Sequence, residues 1–210
     1  TPKPSSAASD VYKRQVTAVS SILLGLVIAL LRLYGPRWLR VLLVFYIDSM
    51  RAIPVLVVLV WIYFAFPLLA GVNFAPFWAA LVALTLHIAA YSAEVIRAGI
   101  ESVRPGQMRA GLALGMSRAQ ALRKIILPQA TIRMLPAFGS VLTVAIKDTA
   151  IATVIAVPEL MHKAETIAGQ SYRPIEVFTA VIVAYFVILF PVTRGCLLYT
   201  SDAADEGLGV

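Results

Sequence analysis

From Ala52 to Val72 the chain carries no charged residue, and a run that long has few places to go in a soluble fold. A bilayer core asks for about 20 apolar residues in helical form, and a helix satisfies all of its backbone polar groups internally. The same test finds four more apolar stretches. Val16–Leu31 is short, and Phe74–Ala93 is ended by Glu94. Met134–Ile146 is interrupted by Lys147-Asp148 and resumes as Thr149–Pro158, and Val177–Thr193 is the last. About five membrane spans are expected, the fourth irregular, in an all-α membrane protein. Composition agrees: 60% of residues are hydrophobic and 14% charged, against about 25% charged in soluble domains.

The basic residues set the orientation. Arg32, Arg37, Arg40 and Arg51 follow the first span, and Arg97, Arg104, Arg109, Arg118, Arg123, Lys124 and Arg133 follow the third. On the other side stand only Lys147, Lys163 and Arg173, offset by Asp148, Glu159, Glu165 and Glu176. Eleven against three places both Arg-rich loops and the C-terminus in the cytoplasm. The formal charge of +7 therefore belongs to membrane topology. Nucleic acid is excluded as a partner, because no basic stripe is interleaved with exposed aromatics. The single Cys196 rules out a disulfide framework. His87 and His162, the only histidines, lie too far apart in sequence to suggest a metal centre, so neither metal nor cofactor is expected. No nucleophile stands beside a base, and no catalytic residue is assigned.

Both ends read as foreign. Back-translated and read in reverse complement one base out of frame, SSAASDVYKRQ (Ser5–Gln15) yields CLLYTSDAAD, which is Cys196–Asp205. The underlying DNA resembles a transposase library adapter. Residues 1–15 and 196–210 are accordingly expected to be non-native tails. One membrane domain is expected over 16–195, its first span truncated at the N-terminus.

The largest cytoplasmic loop contains RAGLALGMSRAQALRKIILP, Arg109–Pro128. A helix over Gly106–Leu114 follows Pro105, and Gly115 breaks it. Ser117 then fits an N-cap, with Gln120 three residues on completing a capping box. A second short helix is expected over Arg118–Leu127, ended by Pro128, with Ala119, Leu122 and Ile126 on one face. Physics leaves two readings open: a helix lying in the headgroups with its cations on anionic membrane lipid, or a helix that docks a protein.

Here the sequence resembles the inner-membrane permease subunits of ABC importers. Their cytoplasmic motif runs EAA, three residues, Gly, nine residues, I-x-L-P. This chain has Arg109-Ala110-Gly111, Gly115 and Ile125-Ile126-Leu127-Pro128 at those spacings. Met50–Phe64, Tyr91–Gln107, Ile146–Leu160 and Tyr172–Phe186 are similar to the polar amino-acid branch, and the resemblance spans Val16–Arg194. It implies the type I permease fold in a multi-pass protein of the bacterial inner membrane. It also implies that the Gly106–Pro128 loop, with Ser117 as its cap, is a coupling helix seated on a separate ATPase subunit, which alone hydrolyses ATP. Further implied partners are a second permease subunit, identical or sister, and an extracytoplasmic substrate-binding protein. At the motif's head the chain departs from the family: Arg109 replaces Glu and Gly111 replaces Ala, so the contact made by that Glu is not carried over.

Other polar residues admit two readings each. Lys147 and Asp148 either line a translocation path or mark the end of span four at the outer surface. His87 and Tyr91, four apart on span three, either contact substrate or hydrogen-bond between helices. Glu159, His162, Lys163 and Arg173 either dock the binding protein or form a solvated loop. Glu94 and Glu101 beside Arg97 and Arg104 suggest a charged helix face. The expected function is a permease subunit for polar amino acids. Alternatives are another small solute, such as an opine or organic acid, or a secondary transporter, for which no inverted repeat is found.

Overall fold

A computed structural model describes the backbone of residues 4–207 and, Ala18 and Val192 apart, the side chains of residues 17–195. The expected foreign tails thus fall on residues whose side chains lie outside the described set. Eight helical segments are described: α1 (Pro4–Tyr34), α2 (Arg37–Ala52), α3 (Val55–Ala70), α4 (Pro76–Ser102), α5 (Pro105–Ala113), α6 (Arg118–Ile155), α7 (Leu160–Ser171) and α8 (Pro174–Gly207). Among the described residues three stretches are long and apolar enough to cross a membrane: Pro76–Ser102, Arg118–Ile155 and Pro174–Gly195. The bent pair of α2 and α3 would be a fourth if counted as one span, and Val19–Tyr34 is a shorter apolar helix. All five expected apolar stretches are therefore helical and in the expected order.

Helix α4 is the centre of the fold. Its most apolar window is 61% buried, against 22% for α6 and 6% for α8, so the other helices pack around it and α8 lies at the periphery. Ala79, Ala80, Ala83, Ala89, Ala90 and Ala93 are all buried along it. In a membrane the lipid is as apolar as any side chain, so helices associate by close packing, which small residues permit. The closest approach is to α1. A Cβ on Gly25 would stand 2.6 Å from Ser92 Cβ and 3.1 Å from both the Ala89 carbonyl oxygen and the Ala93 nitrogen. Polar bridges supplement this packing. The Tyr46 hydroxyl of α2 donates to the Leu86 carbonyl at 2.7 Å, and the Arg32 guanidinium meets Glu94 at 2.5 Å. Arg97 pairs with both Glu94 and Glu101, as the charged face anticipated, while Arg104 joins no ion pair among the described residues.

The Arg-rich connection after the first span is no loop. It is α2, whose exposed Trp38, Val41, Leu42 and Phe45 repeat at i, i+3, i+4 and i+7, while Leu43, Tyr46 and Ile47 pack inward. It meets α3 at 107°, where Pro54 holds Ile53 in extended backbone.

Two π turns stand ahead of prolines. Trp61–Ala65 precedes Phe66-Pro67, and Leu122–Ile126 precedes Leu127-Pro128. In an α-helix each proline ring would clash with the carbonyl four residues back, here Tyr63 or Lys124. The widened turn holds that carbonyl away and re-forms the ladder from Phe66 N–H to Trp61 and from Leu127 N–H to Leu122. Pro128 therefore does not end the second short helix, as the sequence suggested. The chain stays helical from Arg118 to Ile155.

Candidate functional site

The segment from Pro105 to Pro128 is a compact two-part handle. Helix α5 closes with hydrogen bonds from Met116 N–H to the Gly111 carbonyl (3.1 Å) and from Gly115 N–H to Leu112 (3.0 Å). These are the two bonds of a Schellman motif, and its turning residue must be left-handed. Gly115 is that residue, at φ +80°. The chain then re-enters helix at Ser117. Its Oγ accepts from the Gln120 N–H at 3.3 Å, and its own N–H donates to Gln120 Oε1 at 2.8 Å. Both halves of the expected capping box are present. Ser117→Ala is expected to cost about 1 kcal/mol of local helix stability. Hydrogen exchange at the Gln120 amide reports this as a roughly fivefold acceleration.

Gly111 locks the two halves together. A Cβ there would meet Ile125 Cδ1 at 2.9 Å and Ala121 Cβ at 3.1 Å, so the residue that departs from the family's Ala is the one at which the two helices touch. Ala121 and Ile126 are buried and Ile125 and Leu127 half-buried, whereas Ala119 is exposed. The inward face therefore begins at Ala121 and not at Ala119, because the π turn rephases the helix. Arg109, Ala110, Gly115, Ser117 and Pro128 remain exposed.

The structure also gathers part of the intramembrane polar set. His87 and Tyr91 of α4 face Ser140, Val144 and Asp148 of α6 across a cavity of about 170 Å³. The rings of His87 and Tyr91 lie 5.3 Å apart, and the Arg51 guanidinium sits 5.7 Å from the centre of the Tyr91 ring. His87 is buried, and its Nδ1 has no hydrogen-bond partner among the described residues. Lys147 is exposed and lines no part of this cavity. The two adjacent charges therefore separate, because consecutive residues on a helix point apart.

The docking set is brought together less well. Lys163 and Arg173 are exposed and His162 half-buried, but Glu159 is buried. It lines a cavity of about 150 Å³ with Thr17, Phe77 and Thr149 and is withdrawn from any outer docking face. The chain turns sharply at Ala156, just before it, and a carboxylate at the start of α7 is drawn inward by that turn. Sequence reasoning passed over Gly25 and Arg51. The signal for Gly25 lay in α4, where Ala89 and Ala93 stand four apart, the small-residue spacing of close helix pairs. Among the described residues no three His, Cys, Asp or Glu side chains gather as a metal site would require.

Over residues 21–199 the chain matches the family described as binding-protein-dependent transport system inner membrane component. It is 39% identical over 180 residues to the probable amino-acid ABC transporter permease protein PatM of Vibrio harveyi, covering 84% of this chain and 80% of that one. It is 38% identical over 170 residues to the glutamine transport system permease protein GlnP of Escherichia coli (strain K12), covering 80% and 77%. A crystal structure of an amino acid ABC transporter with histidines superposes with a TM-score of 0.82 at 34% identity, covering 90% of this chain and 87% of the other.

Proposed function

The chain belongs to the binding-protein-dependent transport system inner membrane components, and from that premise we propose that it is the permease subunit of an ATP-driven importer for polar amino acids. What carries the substrate class is the likeness to PatM and GlnP, each named for amino-acid or glutamine transport. The chain itself conducts and does not hydrolyse. Two ATPase subunits on the cytoplasmic side supply the energy. A second permease subunit completes a symmetric pathway, and an extracytoplasmic binding protein delivers the solute.

In this reading the Gly106–Pro128 handle receives the ATPase stroke. Its shape supports the role: Gly111 sets the contact between the two helices, Gly115 sets the turn, and Ser117 restarts the helix that runs on into α6. The cavity between α4 and α6 lies on the translocation path, with Asp148, His87 and Tyr91 as its polar lining. Lys163 and Arg173, with His162 beside them, are the residues left for the binding protein.

The test is reconstitution of the permease with its ATPase and binding protein in sealed vesicles, followed by uptake of labelled glutamine, histidine and arginine. Uptake that requires all components and ATP is expected, and none above protein-free vesicles for any polar amino acid would sink the proposal. Within that assay Asp148→Asn is expected to lower uptake by roughly tenfold or more, since a contact to a charged group is worth about 1.5–3 kcal/mol. Lys147→Met is expected to leave uptake within about twofold, since Lys147 is not among the residues that line this cavity. Equal effects of the two changes would remove Asp148 from the path.

A further inference from the structure

We infer that the handle of this chain seats on an acidic face of its ATPase partner, with Arg109 opposite a carboxylate of that subunit. The inference rests on the coupling role proposed above and names the chemistry of the surface that the handle meets.

From Ser102 to Ile146 the sequence contains no Asp or Glu, yet it holds Arg104, Arg109, Arg118, Arg123, Lys124 and Arg133. Arg133 is occupied, donating to the Ser102 carbonyl. The side chains of the other five are exposed, and none makes a hydrogen bond or ion pair among the described residues. Two cations elsewhere do find carboxylates: Arg32 and Arg97 share Glu94, and Arg97 also takes Glu101. The handle is thus a stretch of concentrated positive charge, with no carboxylate of its own and no counter-ion among the described residues.

Anionic lipid and an acidic protein surface could each supply that counter-charge, and the shape of α5 favours protein. A helix that lies in a membrane surface sinks an apolar face among the acyl chains. Apart from Pro105 at its start and Leu112 near its end, the outward residues of α5 are Gly106, Gln107, Arg109, Ala110 and Ala113, which offer no such face. Its larger apolar residue, Met108, already packs into the core of the bundle, and Gly111 is buried against Ala121 and Ile125. Only Leu112 and Leu114, 38% and 78% exposed, project at the turn. Two apolar side chains at a tip, flanked in sequence by Arg109 and Arg118, fit a shallow protein pocket with an acidic rim, since interfaces set a polar rim around an apolar centre. Arg109 is the one charged residue of α5 and its side chain is exposed, so it is the charge this helix offers a partner, and a like charge opposite it would be poorly tolerated.

The permease, held in phosphatidylcholine nanodiscs and in parallel in phosphatidylglycerol nanodiscs, is titrated with the ATP-hydrolysing subunit that co-purifies with it, at roughly 0.05 and 0.3 M salt. Arg109→Lys, Arg109→Ala, Arg109→Glu and Gly115→Pro variants are compared at matched membrane levels. Wild-type binding should weaken with salt. Arg109→Lys should stay within about twofold, Arg109→Ala weaken severalfold, and Arg109→Glu weaken about tenfold or more. A cross-linker at position 109 should map to an Asp or Glu of the ATPase, and changing that residue to Arg should restore binding of Arg109→Glu. Unchanged or tighter binding by Arg109→Glu overturns the inference. So does a loss confined to phosphatidylglycerol nanodiscs, which would assign Arg109 to lipid. If Gly115→Pro abolishes ATPase binding while Arg109→Glu does not, the handle docks but not through this charge. If neither the wild type nor any variant binds, the coupling role itself fails.

Discussion

Replacing Gly115 with proline is expected to abolish ATP-driven uptake while leaving the protein in the membrane at normal level. The residue sits at φ +80°, and a proline ring fixes φ near −65°. The substitution also removes the N–H that donates to the Leu112 carbonyl at 3.0 Å. The Schellman turn cannot form, so α5 must leave its place against Ala121 and Ile125. The damage stays near the handle, because the core around α4 contains no residue of the turn and takes only the half-buried Met108 from α5. Uptake should fall by about a hundredfold, the loss that a misplacement of about 1 Å can cause where a reaction depends on positioning. Gly115→Ala separates geometry from bulk. Nothing lies within 4 Å of its added Cβ, so it meets only the left-handed penalty of about 1–2 kcal/mol, and partial uptake should remain. Full uptake by the proline variant would show that the turn is not what transmits the stroke.

Gly25→Val is expected to fail differently, by loss of the folded protein. The added Cβ would stand 2.6 Å from Ser92 Cβ, and the backbones of Ala89 and Ala93 are at 3.1 Å. Backbone cannot rotate away as a side chain can, so α1 must move off α4 and the core packing of Ile28, Ala29, Ala89 and Ala93 loosens with it. Overpacking of this kind costs about 1–3 kcal/mol, and more where relief needs a helix to shift. Membrane level and thermal retention of the detergent-solubilised chain measure it, and both should drop sharply. Ser92→Ala, which leaves the approach open, should be close to wild type. A stable Gly25→Val protein would mean that α1 does not cross α4 at this point.

How much of this was legible in the sequence depended on whether the signal was local. Charge-free runs located the apolar helices, because the hydrocarbon thickness alone sets that length. Ser117 and Gln120 announced the capping box, since its bonds join residues three apart. Gly115 announced the turn for the same reason. Helix α2 was also written locally, in the spacing of Trp38, Val41, Leu42 and Phe45, but its arginines drew attention to loop charge instead. The π turn was not legible. The general rule that proline ends a helix is correct in isolation, and Pro128 evades it through a rearrangement one turn upstream. Which of Asp148 and Lys147 meets the cavity, and the burial of Glu159, depend on which helix lies opposite. That is a property of the assembled bundle, and no window of sequence contains it.

The unbroken course of α6 has a mechanical meaning. Because the π turn carries the helix past Pro128, Arg118 and Asp148 belong to one rod. At about 1.5 Å per residue these ends are some 45 Å apart. A tilt of about 10° around the middle of such a rod displaces each end by about 4 Å in opposite senses. Pro136, inside the rod, is where bending would most easily absorb that motion before it reached the far end. Gain in this lever is thus set by how stiff the helix stays around one proline, and the carboxylate at its far end travels only as faithfully as that stiffness allows.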